Sequence, residues 1–440
     1  MWVANYACPM TEGARKEPFD KHASSPEQVD SEENQLLVGL PYVGLVLKTL
    51  ADLNTGAVPS GILAKEIDRS DSLGLARLEL GGVLDPGFRA GMAENRSPLE
   101  RWYEPDTVGI ILDAIKKEIR ASAGGWAPTV GRNRLVGHVT ATDGRVITAL
   151  GDPEEVSADD IPALADLGDA GRNVCVGIAD TPLRHHSWLE GASLSPNNPQ
   201  KLPKDARNTF RSAHATFVTG LVLSQAPGAR VQANPVLNND GAASSWDVAN
   251  GIVEMGRSGI DILNLSFAAY TEDAEPPLAL ATAIDRLDPD IVVVAAAGNN
   301  GHRTQPVRTR TGQQINLSVA PAWPAALDDV VCVGSTTMNS ATRTMERSIF
   351  CPEAPWVDLY APGDPVVSTL IGGLCGLPED PVFARWIGTS FATALVTGAI
   401  AARTKPGDKT ARQAWSEIRD HHVDGNGFLD LSLLRLLMQV

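Results

Sequence analysis

Residues 174–181 read Val-Cys-Val-Gly-Ile-Ala-Asp-Thr, an apolar run that ends on a carboxylate. Further apolar, β-rich runs follow it at 229–236, 260–265, 291–296 and 330–333. Helical stretches separate these runs, at 213–225, 245–258 and 277–287. Apolar strands that alternate with helices at this spacing predict an α/β fold, with a parallel sheet covered by helices on both faces. Ligands of such sheets bind beyond the carboxyl ends of the strands, so polar residues at those ends are the candidates for chemistry.

The charge balance limits the kind of partner that the chain binds. Its 440 residues include 37 Lys and Arg against 53 Asp and Glu, a net charge of −16. This acidity argues against nucleic acid and anionic membranes as partners, because nothing offsets the repulsion from phosphate. No apolar run reaches the roughly 18 residues of a membrane span, and residues 1–33 hold no apolar stretch of signal-peptide length. We therefore expect a cytoplasmic protein.

The segments before residue 172 differ in composition from the α/β part, which we predict to be a domain over 172–440. Residues 1–33 are polar and are predicted to be disordered. Residues 34–152 are predicted to form a small α+β accessory or propeptide-like domain, and the acidic segment 153–171 a linker. Within the small domain, apolar residues at helical spacing predict a helix at 35–54 and another at about 105–123, the second capped by Asp106. The turn residues Asp143-Gly144 predict a hairpin at 134–150.

The five cysteines do not form a recognisable framework. Cys8, Cys175, Cys332, Cys351 and Cys375 are too few and too scattered for a disulfide scaffold, and the chain has no CxxC pair that would indicate structural zinc. Cys351 and Cys375 either pair in an oxidising compartment or remain free thiols. We expect no metal and no cofactor.

Four polar side chains stand at strand ends or helix starts. Asp180 ends the first strand, where a carboxylate is either a turn former or a catalytic group. His214 opens a helix whose dipole disfavours an imidazolium, so it needs a nearby carboxylate to act as a base. Asn299 lies in Gly-Asn-Asn-Gly, which is either a turn or the source of an amide donor for an oxyanion. Ser390 starts a helix, where it is either a cap or a nucleophile surrounded by unpaired N–H groups.

The order Asp, His, Ser along the chain is that of subtilisin, whereas chymotrypsin and the α/β-hydrolases use other orders. The surrounding residues resemble the subtilisin-like serine proteases, the subtilase family, over about residues 172–437. Asp180-Thr181 is similar to the family's Asp-Thr/Ser-Gly, and His214-Ala-Thr-Phe-Val-Thr-Gly resembles His-Gly-Thr-His-Val-Ala-Gly. Residues 296–299, Ala-Ala-Gly-Asn, are similar to the asparagine motif, and 388–393, Gly-Thr-Ser-Phe-Ala-Thr, resemble the serine motif. Supporting stretches match in the same order at 263–266, 324–334, 358–363 and 427–430.

The chain departs from the family pattern at four positions. Pro182 and Ala215 stand where the family has Gly, Phe217 stands where many members have a second His, and Ala394 replaces a Pro. All of the reacting groups remain present. The short interval after His214 leaves no room for the loop that carries a calcium site in secreted subtilisins, so we expect no calcium there.

The resemblance implies a subtilisin-like parallel sheet and a serine endopeptidase that works by acyl transfer. Ser390 would be the nucleophile, His214 its base and Asp180 the group that orients the imidazole. Asn299 would donate to the oxyanion together with the backbone N–H of Ser390.

The resemblance also implies how a polypeptide substrate binds. Its backbone would pair as an extra strand with four consecutive residues: Leu265, Ser266, Phe267 and Ala268. One wall of the pocket for the side chain before the cut would be formed by a second set: Ala295, Ala296, Ala297 and Gly298. Because these residues are small, we expect an apolar or medium-sized side chain in that pocket.

Two questions stay open at this point. The alternative to an active protease is a catalytically inactive subtilase-like scaffold that binds peptides, although the complete set of reacting residues favours the enzyme. The segment before residue 172 is a propeptide, a regulator, or a module that recruits a protein partner.

Overall fold

The computed structural model describes residues 31–94, 106–138, 152–195, 210–303, 305–308, 314–374 and 382–437. The strands in this part of the chain are β1 (Ser31–Gly39), β2 (Ile62–Ser70), β3 (Leu75–Gly82), β4 (Val130–His138), β5 (Glu154–Val156), β6 (Cys175–Asp180), β7 (Ser193–Ser195), β8 (Arg230–Pro235), β9 (Ala242–Ser244), β10 (Ile262–Leu265), β11 (Phe267–Ala268), β12 (Val292–Ala296), β13 (Val307–Arg308), β14 (Gln314–Ile315), β15 (Val330–Met338), β16 (Met345–Arg347), β17 (Leu359–Asp364), β18 (Val366–Leu370) and β19 (Val382–Trp386). The α-helices are α1 (Val43–Asp52), α2 (Pro86–Glu94), α3 (Thr107–Ser122), α4 (His214–Gln225), α5 (Ser245–Gly256), α6 (Leu278–Asp285), α7 (Thr389–Arg403) and α8 (Ala411–His421). Short 3₁₀ helices lie at Leu40–Tyr42, Leu164–Leu167, Ser187–Leu189, Phe210–Ala213 and Leu431–Leu433.

The N-terminal body, β1 to β4 with α1 to α3, is an antiparallel sheet in the order β4-β1-β3-β2. One face of this sheet packs on α1 and α3 through residues such as Leu36 and Ile111. Helix α3 begins at Asp106, whose side chain accepts a hydrogen bond of 2.8 Å from the Gly109 N–H, so the predicted helix and its cap are confirmed. The predicted α+β class of this region is also confirmed.

The predicted helix at 35–54 is wrong in its first part. Residues 35–39 belong to β1, and α1 begins only at Val43. Leu36 and Val38 face the core of the N-terminal body, whereas Leu37 faces the rest of the chain. A strand that is buried on both faces gives an unbroken apolar run, which periodicity alone does not distinguish from a helix.

The C-terminal body, from β5 onward, contains the predicted parallel sheet. Its five central strands lie in the order β8-β6-β10-β12-β15, all parallel, with β7, β17 and β16 at the edges. The valines of β12 and the apolar residues of β6 and β10 are buried on both faces, as expected for this kind of sheet.

Helices cover both faces of the parallel sheet, which confirms the predicted fold class. Helix α4 lies with α7 on one face, and each of its residues from His214 to Gln225 is buried. Helices α5 and α6 pack on the opposite face. The sheet of the N-terminal body rests on α5 and α6 in turn, through Leu37, Leu75 and Val136, so these two helices lie between two sheets.

The segment predicted as a linker, 153–171, packs against the C-terminal body. Strand β5 pairs with β19, and Leu164 and Leu167 lie in the core beside α4. Residues 139–151, which include the predicted hairpin turn, and residues 1–30 of the predicted disordered tail lie outside the described residues. Among the helices described here, none has the length and apolarity needed to cross a bilayer.

Candidate active site

The topology of the parallel sheet fixes where a site forms. Along the chain, β6 is followed by β8 on one side and by β10 on the other, so the connections leave β6 and β10 in opposite directions. A crevice opens outside the carboxyl ends of the strands at such a switch point. Asp180 is the last residue of β6, Ser266 directly follows β10, and Asn299 lies just beyond β12. The sheet therefore brings these three residues to one edge.

Asp180 and His214 form a buried pair. The imidazole Nδ1 lies 2.8 Å from Asp180 Oδ2 and 3.0 Å from Oδ1, and the exposed fractions are 0% for Asp180 and 5% for His214. The N–H and the hydroxyl of Thr181 donate to the same carboxylate at 2.6 and 3.1 Å, and these bonds stabilise its negative charge. A carboxylate at Nδ1 holds the proton on that nitrogen, which leaves Nε2 as the basic atom.

Ser390 is the second residue of α7, where helical N–H groups have no partner within the helix. Its hydroxyl donates to the Ser266 carbonyl at 3.2 Å, and the Ser266 hydroxyl donates to the Ser390 carbonyl at 3.0 Å. These two bonds join the start of α7 to the end of β10. The next residue, Phe391, packs against His214 with ring centroids 5.5 Å apart and ring planes tilted by 37°, so the imidazole lies beside the same helical turn.

Asn299 is anchored to that turn through Thr389. Its Oδ1 accepts hydrogen bonds of 3.0 Å from both the N–H and the hydroxyl of Thr389. With Oδ1 fixed in this way, Nδ2 lies beside Gly388, where an added Cβ would be 3.6 Å from it. The amide donor thus lies next to the backbone N–H groups that begin α7. Sequence reasoning missed Thr389 as the anchor, although its place directly before Ser390 was the signal.

The departure at Phe217 is explained by packing. Phe217 is fully buried and lies 4.5 Å from Phe391 and 5.5 Å from Trp386, measured between ring centroids. Trp386 in turn meets the His214 ring edge-on at 6.1 Å. Phe217, Trp386 and Phe391 therefore form an aromatic cluster against the imidazole, and a polar histidine at position 217 would face the rings of Trp386 and Phe391.

The thiols in the described part of the chain are unsuited to act as nucleophiles. Cys175, Cys332 and Cys351 are free and buried. Burial raises the pKa of Cys351 to about 12 and the pKa of Cys332 well above its usual value, so the reactive thiolate is disfavoured. Cys375 lies outside the described residues. In the same described ranges, no three His, Cys, Asp or Glu side chains converge as metal ligands.

The strand predicted to bind substrate already has a partner from the same chain. Strand β4 pairs antiparallel with β11, His138 opposite Phe267 and Gly137 opposite Ala268. On its other side β4 pairs with β9, with Val136 opposite Ala243. The last residues of β4 thus form the middle strand of a three-stranded arrangement, beside the residues that the family resemblance implies would pair with substrate backbone.

The predicted pocket wall divides between two faces of the sheet. Ala296 packs with Ala268 and Ala322, whereas Ala295 and Ala297 face the core beside α5 and α6. The prediction treated three consecutive alanines as one wall, but successive side chains of a strand point to opposite faces. Only Ala296 of the three lies on the side of Ala268.

Comparisons with known proteins agree with this geometry. Residues 171–424 match the family model described as the subtilase family. Subtilisin BL of Lederbergia lenta is 29% identical over 276 residues, which are 61% of this chain and 89% of that protein. Subtilisin E of Bacillus subtilis (strain 168) is 31% identical over 266 residues, 57% of this chain and 60% of that protein. The crystal structure of fervidolysin from Fervidobacterium pennivorans superposes with a TM-score of 0.58 at 16% identity, over 93% of this chain and 62% of that one, which shows a shared fold.

Proposed function

This chain belongs to the subtilase family, whose members are serine endopeptidases, and on that premise we propose that it hydrolyses extended polypeptide segments with Ser390 as nucleophile. The buried Asp180–His214 pair, placed beside the first turn of α7, is the observation that carries this proposal. A scaffold that only binds peptides has no need of a carboxylate fully buried against an imidazole, because burying the charge costs free energy.

The reaction proceeds in two acyl-transfer steps. Ser390 Oγ attacks the scissile carbonyl and gives its proton to His214 Nε2, while the Nδ1–H bond to Asp180 stabilises the imidazolium. His214 then protonates the leaving amine, and the peptide's acyl group stays on Oγ as an ester. Water attacks the ester, again with His214 accepting and returning the proton, and the carboxylic acid leaves.

The negative oxygen of each tetrahedral intermediate is stabilised by two fixed donors, Asn299 Nδ2 and the backbone N–H of Ser390. Both are held before substrate arrives, the first by the bonds from Thr389 to Asn299 Oδ1 and the second by α7 itself. Donors that need no reorientation stabilise the transition state more than the ground state.

The N-terminal body acts, in this proposal, as an inhibitor within the same chain. Strand β4 takes up the hydrogen-bonding positions of β9 and β11 that an extended substrate would use. Buried polar contacts fix it there, among them the bond from Trp246 N–H to Asn133 Oδ1 at 3.0 Å. This supports a propeptide-like role for residues 31–138 over the recruitment of a protein partner.

The test compares the full chain with Ser390→Ala and, as a matched control, with Ser432→Ala at an exposed serine. The wild type and the control are expected to react with a fluorophosphonate at one serine and to cleave denatured protein, whereas Ser390→Ala does neither. Ser390→Ala removes the hydrogen bond from the Ser390 hydroxyl to one backbone carbonyl, that of Ser266, so the variant should keep its melting temperature. Labelling of Ser390→Ala at an unchanged rate would remove Ser390 from this role.

Inhibition by the N-terminal body is tested by incubating the same proteins and measuring intact mass. Self-cleavage C-terminal to His138 that depends on Ser390 and precedes the rise in activity supports the proposal. Full activity in a chain that stays intact contradicts it.

A further inference from the structure

The ring of Tyr270 lies against Ala296, the one alanine of the predicted pocket wall that shares a face with Ala268. Tyr270 follows β11 by two residues, and its side chain packs on the small cluster of Ala268, Ala296 and Ala322. Ala268 belongs to the strand that pairs with an extended chain, and Ala296 ends the neighbouring β12. Tyr270 is thus the large side chain that packs against these three small ones.

The hydroxyl of Tyr270 reaches the far wall, next to the oxyanion donor. A Cβ built on Gly298 would lie 2.3 Å from this hydroxyl, and Gly298 also has a φ of +102°, so position 298 excludes any side chain. The phenol is hydrogen-bonded to Asn300, and burial raises its pKa to about 12, which keeps it neutral. Tyr270 therefore spans from the wall at Ala268 to the residue before Asn299.

The other side of the ring is also covered. Val307, Ile315 and Leu317 form a small apolar cluster that packs against Tyr270. Moving the ring therefore costs these apolar contacts and the hydrogen bond at its tip.

We propose that Tyr270 is a specificity-determining residue that shortens the pocket, so that the side chain before the cleaved bond is small: glycine, alanine or serine. This inference rests on the proposed function. It replaces the expectation of an apolar or medium-sized side chain, which rests on the small alanines of the wall and leaves out the tyrosine that packs against them. A larger side chain must displace the ring, and one methylene of misfit in an apolar pocket already changes selectivity by roughly 10- to 200-fold.

The experiment measures covalent labelling of Ser390 by two single-residue diphenyl phosphonates, one built on alanine and one on phenylalanine. Such short probes need the pocket but not the strand-pairing positions that β4 occupies. The full-length wild type, Tyr270→Phe and Tyr270→Ala are compared by mass spectrometry, with Tyr270→Leu as a second truncation in case the alanine variant does not fold.

The wild type and Tyr270→Phe are expected to react about 100-fold faster with the alanine probe. In Tyr270→Ala or Tyr270→Leu this ratio should fall at least tenfold, chiefly because the phenylalanine probe reacts faster. A wild type that shows no preference, or truncated variants that keep it, would overturn the role of Tyr270.

A small fluorophosphonate without a side chain separates this proposal from the one on which it rests. If it labels every variant while the probe ratio stays constant, Tyr270 does not set specificity and the serine protease assignment stands. If it labels none of them, the proposed function fails and the inference about Tyr270 falls with it.

Discussion

Replacing Asn133 with alanine should loosen the N-terminal body from the rest of the chain. Asn133 lies in β4 and is fully buried. Its Nδ2 donates to Gln35 Oε1 at 2.8 Å within the same body, and its Oδ1 accepts from the Ser245 hydroxyl and from the Trp246 N–H, each at 3.0 Å. The last two bonds cross to the start of α5, where helical N–H groups depend on outside acceptors.

The magnitude follows from these two crossing bonds. A net contribution of 0.5–1.5 kcal/mol for each gives about 1–3 kcal/mol of lost docking free energy. At about 1.4 kcal/mol for each factor of ten, the open population rises about 5- to 150-fold. The bond to Gln35 affects the stability of the N-terminal body itself and is left out of this sum.

Hydrogen exchange measures the effect directly, in the Ser390→Ala background so that no cleavage occurs. Backbone amides of β4 and β11 are expected to lose protection by that factor in Asn133→Ala. The control is Lys48→Ala, which removes an exposed ion pair with Asp52 in α1 and should leave these amides unchanged. Equal protection of β4 in Asn133→Ala and its parent would refute the view that these bonds hold the strand in place.

Two further changes test the active site and the pH dependence of stability. Asn299→Ala should lower kcat for a small-residue peptide by about 10²–10³ with labelling still detectable. The control Asn426→Ala, at an exposed asparagine, should leave kcat unchanged, and an unchanged kcat in Asn299→Ala would mean that Asn299 acts only as a turn residue. Burial raises the pKa of the Asp358 carboxyl in the folded chain above its value in the unfolded chain. At a pH between these two pKa values the folded chain binds more protons than the unfolded chain, so the free energy of unfolding falls as the pH rises through this range. Asp358→Asn keeps an acceptor for the Cys332 N–H but carries no charge. The melting temperature of the variant minus that of the wild type should therefore increase from about pH 4 to pH 7. A difference that stays constant over this range would contradict the sign.

The sequence predicts the parallel sheet because its strands are buried on both faces and therefore read as unbroken apolar runs. It predicts the meeting of Asp180, His214 and Ser390 because strand ends and helix starts of one sheet share an edge. Local composition and the rules of sheet topology determine these features, and both can be read from the amino-acid sequence.

The missed features depend on contacts between distant segments. The pairing of Gly137 and His138 with β11 joins residues about 130 positions apart. A run of alternating apolar and polar residues predicts a strand but not the sheet edge with which that strand pairs. In the sequence Tyr270 lies two residues after a short strand, and only the packed structure places its ring against Ala268 and Ala296. The sequence of β1 resembles that of a helix because the strand is buried on both faces. Its second face is covered by α5 and α6, which lie far along the chain.

Strand β5 has a consequence for what a cut after His138 would release. Glu154–Val156 stay bonded to Phe383–Arg385, and β19 runs directly into the turn before Ser390. Residues 154–156 would thus stay paired with the strand that leads to Ser390, while the N-terminal piece keeps its pairing with β9 and β11. Scission alone would yield a nicked, two-chain complex that co-purifies, and turnover would begin only when the detached piece dissociates or is degraded.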